Sequence, residues 1–358
     1  MSVCGICVPG RDLLHGRALA SSFDAFARVH LLRAGIQLGL FEALRRPHDA
    51  DALAGRLGLA GDLVASWLVA SERLGLVHAT TGGFQVTDFT RWVLDAPEAP
   101  ALHAMLDQVA LGWGPRLLDL PQLMKGADRP RFGSPEEAQR IAAASRAVEA
   151  RALAALARIP GVRNARRVLD VGCGHGSYLA GFLAHYRDAQ GLGVDLDPAV
   201  AEEARRTLRE AEVWRRGEIR VGDFMTMDLA SRFDLVLFNN NLHYFAASEH
   251  GAVLRRAAAR LSPGGVLAIQ TGVVDSGPVA RVLGTGAGMA IFDLYLRTHA
   301  NLHGLPQPTA LRESLREAGF DEVGEVAVLP GGSSRYVWAR ARRDAAGSPP
   351  QAAPPAAS

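Results

Sequence analysis

Cysteine is scarce. The chain of 358 residues has only Cys4, Cys7 and Cys173. So few thiols exclude a disulfide scaffold and point to a reducing compartment. Cys4-x-x-Cys7 has no second pair to complete a zinc site. No apolar run approaches the roughly 20 residues that span a bilayer. The opening "MSVCGICVPGRD" has no positive residue ahead of its short apolar stretch, so no secretory signal is expected and the cytoplasm is the expected location. Excess charge is also missing. Lys plus Arg is 39 and Asp plus Glu is 37, so the balance is 39 − 37 = +2. That balance gives no sign of a strongly basic surface for nucleic acid or anionic lipid. No internal repeat is evident.

Apolar residues make up 48% of the chain, enough for a packed core, and the length suits two domains. Residues 1–20 read as a loose arm. The Pro/Ala/Ser-rich tail 344–358 reads as disordered. Residues 21–160 are expected to be almost wholly helical. Within them, "DADALAGRLGLAGDLVASWLVASERLGLVHATTGGFQVTD" predicts helix, turn, helix and a hairpin with Thr81, Gly82 and Gly83 at its tip. That order is a winged helix. Its candidate recognition helix has Arg73 as its only basic residue, offset by Asp62 and Glu72. A DNA-reading helix needs cations facing phosphates, so a protein partner is expected instead.

Residues 161–343 alternate short apolar strands with helices, which predicts an α/β fold with a mostly parallel, doubly wound sheet. The first strand leads into "VLDVGCGHG". Gly172, Gly174 and Gly176 let the backbone turn sharply and approach a ligand with no Cβ in the way. The helix that follows then points free N–H groups at that ligand. Asp195 ends the second strand, where a carboxylate can accept from the hydroxyls of a ribose. Asp197, before Pro198, is the competing carboxylate and suits a helix cap. Asp223 ends the third strand with Phe224 beside it, a pair suited to the amino group and ring of adenine. A nicotinamide dinucleotide site usually reads G-x-G-x-x-G. Here the spacing is G-x-G-x-G, with Asp170 two residues ahead of the first glycine.

"VLDVGCGHG", "GVDLDP", "VGDF", "FDLVLFNNNLHYF" and "LSPGGVLAIQ" together resemble the successive motifs of class I S-adenosylmethionine-dependent methyltransferases. The preceding winged helix resembles the dimerisation domain of the small-molecule O-methyltransferases, and the likeness extends over residues 20–342. It implies S-adenosyl-L-methionine as cofactor, a Rossmann-like sheet and a homodimer formed through the N-terminal helices. It places Asp170, Gly172 and the neighbouring glycines at the methionine and ribose end, Asp195 on the ribose, and Asp223 with Phe224 at the adenine. Asn239 would lie on the cofactor's far side, where the family often has Lys or Arg.

The same resemblance puts His243 at the position of the catalytic base, a role that a group titrating near neutrality suits. The carboxylates that would orient such a base are altered. Gln270 stands at the end of the fifth strand, "LPGGSSR" has no acidic residue, and Glu249 and Asp275 do not match in position. Residues 272–306 are long for a βα connection. With Met289, Phe292, Tyr295 and His299 they are expected to roof a small-molecule acceptor pocket of apolar or aromatic character. His299 and His303 are four apart and could join His243 on a metal if they shared a helical face. "NLHGLP" ends any helix there, so no metal is expected. The expected reaction is methyl transfer to oxygen of a secondary metabolite. The same fold also supports attack by carbon or nitrogen and non-methyl chemistry.

Overall fold

The computed structural model of the protein describes residues 2–3, 6–7, 13–274, 286–328 and 333–342. Cys4, Asp275 and the tail 344–358 lie outside the described residues. The chain divides into two compact units. One holds Met1–Leu120 with Gly133–Ala147, the other Pro121–Phe132 with Val148–Ser358.

In the first unit α1 spans Leu13–Gln37, so the first helix starts inside the stretch read as an arm. Helix α2 (Ala50–Leu57) starts where the Asp49 side chain accepts from the Ala52 N–H at 2.7 Å. It ends at Gly58, whose φ of 65° is the left-handed C-cap that glycine favours. Helix α3 (Gly61–Arg73) and the antiparallel hairpin β1 (Val77–Thr80) and β2 (Gly83–Val86) complete the winged helix. A Cβ on Gly83 would lie 2.2 Å from the His48 carbonyl oxygen, so the wing packs backbone against backbone there. Leu53, Val64, Leu68, Leu76 and Val86 bury together with Phe41 and Leu44.

The second unit is a seven-stranded sheet. Its strands are β3 (Arg167–Val171), β4 (Gln190–Asp195), β5 (Gly217–Val221), β6 (Phe233–Asn239), β7 (Leu261–Gly272), β8 (Glu322–Ala327) and β9 (Ser334–Arg340). Their order across the sheet is β8-β9-β7-β6-β3-β4-β5. The pairs from β7 to β5 are parallel, and β9 is antiparallel to both its neighbours. Side chains alternate across the pleat. Val168, Leu235, Leu237 and Ala268 bury on one face with helix α7 (Ser177–His185) and helix α8 (Pro198–Glu210). Leu169, Val236, Phe238 and Leu267 bury on the other with α9 (His250–Arg260) and α11 (Pro308–Glu317). Between these two helices comes α10 (Gly286–Arg297). The chain winds outward from β3 through β4 and β5, then returns to β6 on the other side of β3. That reversal is the switch point at which an open α/β sheet binds its ligand.

Candidate active site

Strand β3 runs into the glycine-rich turn, where Gly172, Gly174 and Gly176 all adopt positive φ, at 59°, 54° and 72°. Any L side chain is strained there. The three differ in what surrounds them. A Cβ on Gly172 would lie 2.5 Å from Asn241 Nδ2, and one on Gly176 would lie 3.0 Å from Ala204 Cβ. A Cβ on Gly174 would meet nothing within 4 Å. Gly172 and Gly176 are therefore needed for packing, and Gly174 faces open space. The Gly174 N–H donates to Asp195 Oδ2 at 2.9 Å, and the Asp197 N–H donates to Asp195 Oδ1 at 3.1 Å. Asp195 is thus fixed beside the turn from two sides. Asp197 Oδ1 caps α8 through the N–H groups of Ala199 and Val200.

Leu196, between these aspartates, was not singled out from sequence and is 70% exposed. Asp223 Oδ1 accepts from the Met225 N–H at 2.8 Å. Phe224 differs from the sequence expectation. Its ring is 4% exposed, meets Phe238 edge-on at 5.7 Å and lies under the Arg256 guanidinium, so it belongs to the core beneath the crevice. The exposed apolar surface beside Asp195 is Leu196 instead.

The three asparagines after β6 each do something different. Asn239 Nδ2 donates to Asp170 Oδ1 at 3.1 Å. Its Oδ1 lies 3.0 Å from the Tyr336 hydroxyl, which is also 3.3 Å from Gln270 Oε1. Asn239 is therefore engaged by Asp170 and Tyr336 in a partly buried polar network. Asn240 takes φ 52°, and its N–H donates to the Gln270 carbonyl. Asparagine tolerates that conformation better than most residues. Asn241 donates its amide to the carbonyls of Val171 and Gly172, tying the loop after β6 to the glycine-rich turn. The sequence signal for it was the run of three asparagines at a strand end. Asp170, 1% exposed, is pushed up to about 7 by burial, against the lowering effect of the Asn239 hydrogen bond, with the Asp195 charge adding to the rise.

His243 lies in the short turn Leu242–Tyr244, two residues beyond Asn241. Its ring stacks on Tyr244 at 5.0 Å and receives Phe292 edge-on at 6.0 Å. The His303 N–H donates to the His243 carbonyl at 2.7 Å. Burial, and secondarily His303, lower His243 to about 4, so its imidazole is neutral at pH 7. Among the described residues, burial and His303 are the influences on His243, and the nearby polar groups are engaged elsewhere. Gln270 faces Tyr336, Glu249 accepts from the Ala246 N–H, and Asp293 accepts from Leu305 and pairs with Arg297.

Helix α10 brings Met289 and Phe292 to this edge. A Cβ on Gly272, at the end of β7, would lie 2.4 Å from Met289 Sδ, so the bare glycine makes room for it. Tyr295 and His299 are both fully buried behind them. His299 Nδ1 lies 3.1 Å from the Tyr295 carbonyl. The helix ends at Arg297, so His299 and His303 do not share a helical face. Among the described residues no group of three His, Cys, Asp or Glu side chains could hold a metal ion. Sequence reasoning also missed Phe132. Its ring meets Tyr244 at 6.2 Å and His299 at 5.6 Å. Asn301 fixes the Phe132 backbone through both its N–H and its carbonyl. No local pattern reports a partner 169 residues away.

Residues 168–265 match a methyltransferase domain family. The 3-hydroxy-5-methyl-1-naphthoate 3-O-methyltransferase of Streptomyces sahachiroi is 29% identical over 273 residues, which are 72% of this chain and 78% of that protein. The trans-aconitate 2-methyltransferase of Methylobacterium radiotolerans is 32% identical over 145 residues, 37% of this chain and 52% of its own length. Human N-acetylserotonin methyltransferase, solved in complex with S-adenosylmethionine, superposes with a TM-score of 0.73 at 20% identity, covering 94% of this chain and 100% of that one. The glycine-rich turn with open space at Gly174, the fixed carboxylate of Asp195 and the exposed Leu196 fit an adenosyl amino acid. The protein is an S-adenosylmethionine-dependent methyltransferase, with a methyltransferase domain at residues 168–265.

Proposed function

We propose that this enzyme methylates a hydroxyl oxygen of a small, flat aromatic metabolite, and that it works as a homodimer. The observation that carries the reading is the position of His243. It is joined through Asn241 to the glycine-rich turn and sits against Tyr244 and Phe292, near Phe132. Met289 and Phe292 face the acceptor, with Tyr295 and His299 as the buried layer that fixes them. The acceptor oxygen meets the methyl carbon beside His243. Holding the two reactants in line supplies much of the acceleration. On the donor side Asp195 takes the ribose hydroxyls, Leu196 packs on the purine, and the second carboxylate oxygen of Asp223 accepts from its amino group. S-adenosylmethionine supplies an activated methyl on a sulfonium. The naphthoate acceptor of the Streptomyces sahachiroi relative is of the proposed kind.

The dimer reading rests on α1. Leu19, Phe23, Phe26 and His30 recur at helical spacing. Leu19, Phe23 and Phe26 are all exposed, Phe26 at 69%. A stripe of that kind marks a protein interface.

Methyl-labelled S-adenosylmethionine and a panel of naphthols, hydroxyquinones and aromatic amines test the chemistry, with the site of attachment read by mass spectrometry and NMR. Label on hydroxyl oxygen is expected. Label on nitrogen or carbon, with hydroxyls refused, overturns the reading.

A further inference from the structure

We propose that the acceptor hydroxyl is an acidic one, a hydroxyl conjugated to a carbonyl or to another strongly electron-withdrawing group, and that it binds as its anion. The proposal deepens the oxygen-methylation reading above and rests on it.

The argument starts from what surrounds His243. The ring is buried and in contact with two aromatic rings, Tyr244 and Phe292. A histidine that abstracts a proton needs its cation stabilised. Among the described residues nothing near it does so. Gln270 is neutral and engaged with Tyr336. Glu249 is turned to the Ala246 N–H, and Asp293 to Leu305 and Arg297. His303 donates its backbone N–H to the His243 carbonyl and lowers His243 further. His250 faces the Phe245 carbonyl, and His299 the Tyr295 carbonyl. The pocket is built for a neutral imidazole.

The consequence is quantitative. An ordinary phenol has a pKa of about 10. Against a base whose cation loses its proton at about 4, transfer is unfavourable by roughly a million-fold. A base that weak gives such a phenol little help. A hydroxyl already ionised near neutral pH needs none. Its proton goes to water before binding, and the neutral His243 N–H can donate to the anion. The oxygen's electron pair then forms the bond to the methyl carbon as the carbon–sulfur bond breaks and its pair stays on sulfur. An anion and a sulfonium become a neutral ether and a neutral thioether, and no proton is released in that step. Bringing two opposite charges together in a poorly hydrated pocket also offsets the cost of burying the anion.

The experiment uses the full chain and three probes of decreasing acidity: a hydroxynaphthoquinone, para-nitrophenol and naphthol. Each absorbs differently as anion and as neutral hydroxyl. With sinefungin present, an unreactive analogue whose amine supplies the positive charge of the sulfonium, the bound hydroxyquinone and nitrophenol are expected to show the anion spectrum, and affinity is expected to follow the ionised fraction of each probe as pH rises. With S-adenosylmethionine, the rising limb of rate against pH is expected to move from probe to probe with the acidity of the probe itself. His243→Gln keeps an N–H donor and is expected to lose less than about ten-fold on the hydroxyquinone, well under the roughly 10²–10⁴-fold of a true general base. Oxygen-methylated product with one midpoint common to all probes, or a neutral bound spectrum, overturns the acidic-acceptor proposal and leaves oxygen methylation standing. Methylation on nitrogen or carbon, or no methylation of any hydroxyl probe, overturns both.

Discussion

Asp170 and His243 are two buried ionisable residues of the site, and burial makes them respond to pH in opposite directions. Asp170 rises from 3.8 to about 7, so between those values the folded chain holds a proton that the unfolded chain has lost. Stability from this group is fully present below 3.8 and is lost as pH rises through about 7. His243 falls from 6.5 to about 4, so its contribution is present above 6.5 and is lost as pH falls through about 4. Asp170→Asn isolates the first effect, because the amide mimics the protonated acid and can still accept from Asn239. The variant is expected to gain on the wild type as pH rises, by a few kcal/mol at about pH 8. Thermal melts of both proteins across pH check it. Parallel curves would mean that Asp170 ionises normally in the folded chain.

The glycine-rich turn is the element on which the site depends, and its three glycines separate folding from ligand binding. Gly176→Ala places a methyl against Ala204 and strains a positive φ, so it is expected to lower the melting temperature. Gly174→Ala meets no protein atom and costs only the backbone strain, about 1–2 kcal/mol. Its methyl, however, would stand where the cofactor is proposed to approach. Calorimetric titration with S-adenosylhomocysteine is expected to show Gly174→Ala weakened by more than ten-fold, beyond what its modest loss of melting temperature explains. Equal affinity for Gly174→Ala and wild type would remove the turn from the cofactor site. The loop after β6 supports the turn from the side, since Asn241 holds the Gly172 carbonyl and His243 follows two residues later.

For the whole molecule, the prediction concerns association. A 38.1 kDa chain with an apolar stripe on α1 is expected to scatter light as a species of twice that mass. Leu19→Asp combined with Phe26→Asp puts two charges on the stripe and is expected to return the monomer mass with the far-ultraviolet circular dichroism retained. A wild-type monomer at micromolar concentration would refute the homodimer.

Periodicity and turn chemistry carried the local structure. The alternation in "VLDVG" and "FDLVLFNN" specifies strands, the caps at Asp49, Asp197 and Gly58 specify helix ends, and the clustered glycines specify a turn at a strand's end, because each depends on residues a few positions apart. The place of Asp195 at a strand's end and the cap at Asp197 were legible for the same reason. Which side of an element faces the ligand was decided by packing. Phe224 turned into the core against Phe238, 14 residues on, and left Leu196 as the exposed apolar side chain. Asn239 was drawn to Asp170, 69 residues away, and Tyr336, 97 residues away. Phe132 reached the site through Asn301. The neutral state of His243 likewise came from its surroundings: a sequence supplies an imidazole, but only the fold determines how much water and how much opposite charge remain beside it.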